Sequence, residues 1–133
     1  MGEEPLSIID KGTYLLVEFF GEFSVDAGKR CVDRMVEACK QHGRSKVLLD
    51  CRRMTGRMPV IDRFDVAAYG AGKREQLRRF ALLNREDVVL PDNFVRNVAV
   101  NRGLDMKVFT DFEEAERWLT TSSSSKADAG EGG

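Results

Sequence analysis

The spacing of apolar residues along the chain changes several times, and each spacing predicts a different element. Two short runs near the N-terminus, Leu6 to Asp10 and Tyr14 to Phe20, are typical of β-strands, and Lys11-Gly12-Thr13 between them is typical of a hairpin turn. Apolar residues then recur every three or four positions, with Ser24 as the predicted N-cap and Gly43 just beyond the last helical residue. This part of the chain therefore predicts two strands and an amphipathic helix.

The rest of the chain alternates between short apolar runs and segments with helical spacing. Val47 to Leu49 is apolar at every position, which is typical of a central strand covered on both faces. A capping box at Asp111 to Glu114 indicates the start of a last helix, whose core face we expect to include Trp118 and Leu119. The other predicted elements are a helix at 59–77, a strand at 80–83, a helix from Asp92 to Gly103 and a strand at 106–109.

The helix predicted at 59–77 has a less regular pattern than the first helix. Ile61, Phe64 and Ala68 fall on one side of it. Pro59 is tolerated in a first turn, whereas Gly70 and a second glycine two residues later weaken the helix or end it early.

The element order ββαβαβαβα predicts an α/β fold. Strands that alternate with helices form a mainly parallel central sheet with right-handed crossovers, and the N-terminal β-hairpin adds one antiparallel strand. Helices then cover the sheet. The chain has 133 residues, which suits one domain, and we expect residues 1–119 to form it. Residues 120–133 have no apolar residue except alanine and are predicted to be a disordered tail.

Composition excludes some classes of protein. The net charge of -1 does not fit a polyelectrolyte, and no apolar run reaches the length of a membrane-spanning helix. The N-terminus is acidic where a signal peptide would be basic, so a cytoplasmic location is expected. Cys31, Cys39 and Cys51 are interpreted as buried apolar residues, and the one histidine, His42, as a cation at a helix end. Neither a cofactor nor a metal is expected.

Several segments together resemble STAS-like proteins, the group that includes bacterial anti-sigma-factor antagonists. Besides the element order, the resemblance rests on two predicted strands, Val47 to Asp50 and Arg78 to Leu83. It also rests on the closing pattern of Val108-Phe109, Ala115 and Trp118-Leu119. It covers about residues 5 to 119 and implies a SpoIIAA-like fold. It also implies a non-enzymatic regulatory or ligand-binding module, often controlled by phosphorylation of a Ser or Thr that begins the helix after the third strand.

The chain departs from that family at the expected phosphorylation site. Residues 54–62 contain Thr55 as the only hydroxyl residue, and it precedes Gly56. A Thr-Gly pair is typical of a turn, so we favour a turn over a phospho-acceptor.

Charge singles out the segment after the third predicted strand. Residues 44–85 hold eleven basic and four acidic residues, and several arginines directly follow a strand. In open α/β sheets ligands bind beyond the carboxyl ends of the strands. One hypothesis is a site for an anion or an acidic partner, and the alternative is charge that only keeps a strand end solvated. The candidate residues are Arg52, Arg53, Thr55, Gly56 and Arg57.

Three functions remain open at this stage. A regulatory protein-interaction module comes first, a binder of a small anionic or lipid-like ligand at the carboxyl edge of the sheet second, and an enzyme a distant third. The first predicts an exposed apolar patch, the second an apolar cavity with few polar groups, and the third a pocket with perturbed ionisable groups. Nucleic-acid binding is disfavoured because no aromatic residue lies among the basic residues at Arg78-Arg79.

Overall fold

A computed structural model describes residues 6–57, 59–87, 96–97 and 99–121. Its core is a five-stranded sheet in the order β1-β2-β3-β4-β5. The strands and helices are β1 (Leu6–Asp10), β2 (Leu15–Phe19), α1 (Val25–His42), β3 (Lys46–Asp50), α2 (Val60–Ala71), β4 (Arg79–Leu83), β5 (Met106–Phe109) and α3 (Phe112–Thr120). Between β4 and β5, residues 99–101 are also helical.

The sheet has the mixed character that the sequence predicts. β1 pairs antiparallel with β2, with Leu6 opposite Phe19, and every other neighbouring pair is parallel. Sequential order in a parallel sheet with right-handed crossovers places the crossover helices on the same face. The predicted α/β class and element order are therefore confirmed for the part of the chain that is described.

Hydrophobic residues form two clusters, one on each face of the sheet. Leu15 and Val17 of β2 pack with α1, whereas Leu16 between them packs with α3. Adjacent residues Val47 and Leu48 of β3 likewise belong to different clusters, and both are fully buried. A strand covered on both faces needs apolar residues at consecutive positions, which explains the Val-Leu-Leu run.

Helix α1 begins and ends where its sequence predicts. The hydroxyl of Ser24 accepts a hydrogen bond of 3.0 Å from the amide of Ala27. Gly43 adopts a left-handed conformation with φ of 67°, and its N–H bonds the carbonyl of Cys39. These bonds satisfy backbone groups that a helix end leaves unpaired.

The side of helix α2 that carries Ile61 is not the side that packs against the core. Ile61, on the apolar side noted in the sequence, is 76% exposed. Val66 and Ala67 pack against the core instead. The two helices approach closely here, since a Cβ added to Gly28 of α1 would lie 2.7 Å from Cγ2 of Val66. The helix ends at Ala71, as the glycines there suggest.

Among the described helices, only α3 packs on the second face of the sheet. The side chain of Asp111 caps it by accepting a 2.9 Å bond from the amide of Glu114. Ala115 and Leu119 are fully buried. Trp118 is only partly buried, which corrects its predicted core position, and the guanidinium carbon of Arg79 lies 3.9 Å from its ring centroid. The indole therefore packs at the edge of the second cluster, where it is partly exposed.

The cysteines are buried, and the histidine lies at a helix end. All three cysteines are buried, as interpreted from the sequence, and burial raises the pKa of the Cys39 thiol to about 11. His42 lies in the last turn of α1 with Nδ1 3.3 Å from Oδ2 of Asp10. Within the described ranges, no helix is long and apolar enough to cross a membrane. Of the predicted tail at 120–133, Thr120 is the last residue of α3, and residues 122–133 lie outside the described residues, as does the predicted helix start at Asp92.

Candidate functional site

The loop that follows β3 lies against the chain that follows β2. The amide of Thr55 donates to the carbonyl of Gly21, and the amide of Phe23 donates to the carbonyl of Thr55, both at 2.9 Å. These bonds form a short parallel bridge beyond the carboxyl ends of the strands. They fix the backbone of the candidate segment at the edge where ligands bind in open α/β sheets.

The Thr-Gly turn has a steric requirement for glycine. Gly56 has φ of +88°, a region that residues with a side chain adopt only with strain. A Cβ at this position would also lie 2.7 Å from Cγ of Glu22. Thr55 itself lies in the bridge to Glu22, and Gly56 forms a bend directly after it.

Arg52 makes an ion pair with Asp50, the last residue of β3. Its Nε and Nη2 each lie 3.0 Å from an oxygen of Asp50, and its amide donates to the same carboxylate. The Asp50 side chain is only 10% exposed, and its hydrogen bonds raise the pKa of Arg52. The charge of Arg52 is therefore already compensated within the fold by the carboxylate of Asp50.

Arg85 holds the same loop from the neighbouring strand. Its Nη1 donates to the carbonyls of Arg52 and Met54 at 3.3 and 3.2 Å. Its Nε lies 3.1 Å from Asp87, and this bond lowers the pKa of that carboxyl. We did not assign Arg85 to the site from the sequence. The available signal was its position just after β4, because parallel neighbours bring the residues after β3 and β4 together.

Arg53 and Arg57 differ from these two arginines. Both are exposed, and neither side chain has a hydrogen-bonding or ionic partner among the described residues. Thr55 and Gly56 between them are exposed as well. All five predicted residues thus lie on one loop, and within the described part of the chain Arg53 and Arg57 are the two of them whose charge has no ionic partner.

Exposed apolar side chains occur at the same edge of the sheet. Phe20 directly follows β2 and is 41% exposed, and Val60 and Ile61 in the first turn of α2 are 38% and 76% exposed. Pro59, the residue before α2, makes no side-chain cap. We define Phe20, Arg53, Arg57, Val60 and Ile61 as the edge surface. It combines apolar side chains with positive charge.

A cavity of about 110 Å³ lies between the sheet and the helices α1 and α2. Phe19, Phe80 and Met106 line it from the sheet, and Met35 and Ala67 line it from the helices. Arg63 and Asn84 are the polar residues among its described lining. The cavity is separate from the edge surface, since none of the five residues of that surface contributes to its lining.

Ionisable groups at the edge show pKa shifts of structural origin. Arg52 and Asp87 are shifted there, each by an ion pair with a nearby residue. No group of three or more His, Cys, Asp or Glu side chains placed to hold a metal ion occurs in the described ranges.

Comparison with solved structures identifies the fold. An anti-sigma factor antagonist from Mycobacterium paratuberculosis superposes with a TM-score of 0.59 at 11% identity, over 86% of this chain and 92% of that chain. An uncharacterized DUF3478 protein with a SpoIIAA-like fold from Shewanella loihica PV-4 gives 0.56 at 17% identity, over 86% and 91%. The chain is an α/β protein with the SpoIIAA-like fold, as the STAS-like resemblance implied. No family model and no curated protein matches the sequence.

Proposed function

We propose that the protein is a non-enzymatic regulatory module of the STAS-like type that binds another protein through the edge surface. The observation that carries this proposal is the exposure of Ile61, which is 76% exposed and directly follows Val60, a second exposed apolar residue. An apolar patch next to charge is typical of protein interaction sites. The fold shared with an anti-sigma factor antagonist supports the same class of function.

The edge surface indicates the chemistry of the partner. Phe20, Val60 and Ile61 would pack against an apolar patch, since removing them from water is favourable. Arg53 and Arg57 would face carboxylates at its rim, where complementary charge contributes to specificity and to the association rate. The partner is therefore a protein with an apolar patch and an acidic border.

The loop is suited to binding because its backbone is already held in place. Arg85 holds the carbonyls of Arg52 and Met54, and Thr55 pairs with the segment after β2. A surface that is ordered before binding loses less conformational entropy in the complex. The first residues of α2 carry no hydroxyl group, so this mode of binding does not depend on phosphorylation there.

A small anion is a second candidate ligand for the same loop. The observation in its favour is that Arg53 and Arg57 lack compensating partners among the described residues, while the exposed turn at Gly56 separates them. Two guanidinium groups on one turn suit phosphate or carboxylate oxygens.

The protein-binding proposal is tested with two charged substitutions. The wild type is used to isolate its partner from the source cells, and the affinity of the purified pair is then measured by calorimetry. Ile61→Glu should weaken binding by roughly a hundredfold, because the substitution buries a charge in the apolar contact. Ile9→Glu is the matched control, since Ile9 is 45% exposed on β1, away from the edge surface. Equal affinities for both variants would contradict the proposal.

A further inference from the structure

The cavity between the sheet, α1 and α2 has a size and a lining that suit a ligand. Its volume is about 110 Å³. A cavity of about 150 Å³ with an aliphatic and aromatic lining stays dry and binds benzene. We propose that this cavity binds a compact apolar molecule of about one aromatic ring or a short acyl chain. The proposal concerns a site separate from the edge surface.

The spacing of the helices keeps the cavity open. Gly28 of α1 meets Val66 of α2 so closely that an added Cβ would lie 2.7 Å from Cγ2 of the valine. The helices are thus in contact at this point, and α2 does not move closer to α1 to remove the void. Gly28, Ala67 and Gly70 all line the cavity, and each has a small side chain or none.

The lining also indicates which ligands are excluded. Apart from Arg63 and Asn84, the described lining residues are aliphatic, aromatic or sulfur-containing, or are glycine. Water requires two to four polar partners, so it binds poorly in such a cavity. Arg63 is the charged residue of the described lining, and it disfavours a cation. The ligand class is therefore a neutral or anionic molecule with an apolar body.

The test uses toluene as the probe and two leucine substitutions on α2. Ala67→Leu places extra side-chain atoms in the cavity, whereas Ala68→Leu adds the same atoms at the next residue, which is outside the described lining. Toluene at about 1 mM should raise the Tm of the wild type and of Ala68→Leu by several degrees. The Ala67→Leu variant should bind toluene at least roughly tenfold more weakly.

An NMR measurement on the wild type keeps the test informative if Ala67→Leu does not fold. Toluene protons should show intermolecular NOEs to the methyl groups of Met35 and Met54, which line the cavity. Hexanoate is the second probe, and NOEs from its methyl end to the same groups would extend the ligand class to short acyl chains. The proposal is overturned if toluene changes neither Tm nor these methyl resonances, or if its NOEs arise elsewhere.

Discussion

Nη1 of Arg85 lies 3.2 Å from the carbonyl oxygen of Met54, so the residue two positions after β4 holds the loop that follows β3. The same nitrogen bonds the carbonyl of Arg52. The parallel pairing of β3 and β4 makes this contact possible, because it brings both strand ends to one edge. The arrangement of the edge surface therefore depends on a residue that does not belong to it.

Replacing Arg85 should loosen this loop without unfolding the protein. Arg85→Ala removes two hydrogen bonds to backbone carbonyls, and we expect a loss of ~1–2 kcal/mol in the free energy of unfolding. Hydrogen exchange at the amide of Thr55 should become faster, since its bond to Gly21 is no longer held in place. Arg78→Ala is the control at an exposed position before β4, and it should leave that exchange rate unchanged. Equal exchange rates in the two variants would contradict the role of Arg85.

Substitution of Gly56 should cost more than substitution of a glycine with only an unusual φ. Gly56→Ala combines strain at φ of +88° with a contact of 2.7 Å to Glu22, and we expect ~2 kcal/mol of destabilisation or more in urea unfolding. Gly12→Ala is the matched control, because φ is +97° there and no atom lies within 4 Å of the added Cβ. In a Glu22→Ala background the cost at Gly56 should approach that at Gly12. A cost that stays the same in that background would show that Glu22 is not the obstacle.

The anion hypothesis predicts a specific effect of sulfate on stability. Millimolar sulfate should raise the Tm beyond the effect of chloride at equal ionic strength, a control needed because sulfate also strengthens apolar burial. At a concentration of about 100 times Kd, binding would add ~2.7 kcal/mol. The gain should disappear in Arg53→Ala/Arg57→Ala and persist in Arg30→Ala/Arg78→Ala, which removes two exposed arginines elsewhere. The same response in all three proteins would mean that the arginines only solvate the strand end.

The hydrogen bonds of the Asp10 carboxylate should contribute stability that disappears in acid. The backbone N–H of Gly12 and then the guanidinium of Arg44 lower the pKa of this carboxyl, and His42 also faces it. A pKa lowered by folding gives stability that is present above the unfolded value of about 3.8 and is lost as the pH falls through the folded value. In urea unfolding, Asp10→Asn should therefore be less stable than the wild type at pH 7. The difference should shrink below about pH 4.

The control for the Asp10 prediction is Glu37→Gln, which neutralises an exposed carboxyl on α1. It should leave the pH dependence of unfolding close to that of the wild type. A difference between Asp10→Asn and the wild type that stays constant down to pH 2 would contradict the assignment, because the pairing would then not depend on ionisation.

The sequence predicted the elements better than it predicted their contacts. Spacing and end residues such as Ser24 and Gly43 were sufficient for α1, because a helix end is a local structure. The spacing within α2 did not show which of its residues meet α1, since the close approach of Gly28 to Val66 joins residues 38 positions apart in the chain. A one-dimensional pattern does not contain such a distance.

At the candidate site, too, the sequence predicted the position of the residues but not their contacts. The arginines after β3 were found because they follow a strand, and the loop does lie at the carboxyl edge. Their partners were not predicted. Arg52 pairs with Asp50, which is buried in the strand, while Arg53 next to it stays exposed. Adjacent residues with the same side chain therefore make different contacts, and their order in the sequence does not show which of them is paired.

The position of α3 has a consequence for folding during synthesis. Leu16, Leu48 and Ala81 lie on the sheet face that α3 alone covers among the described helices. Because α3 spans Phe112–Thr120, this face stays uncovered until about the last of those residues has left the ribosome. A nascent chain that has already paired β2, β3 and β4 therefore carries an exposed apolar sheet face, the kind of surface that chaperones bind.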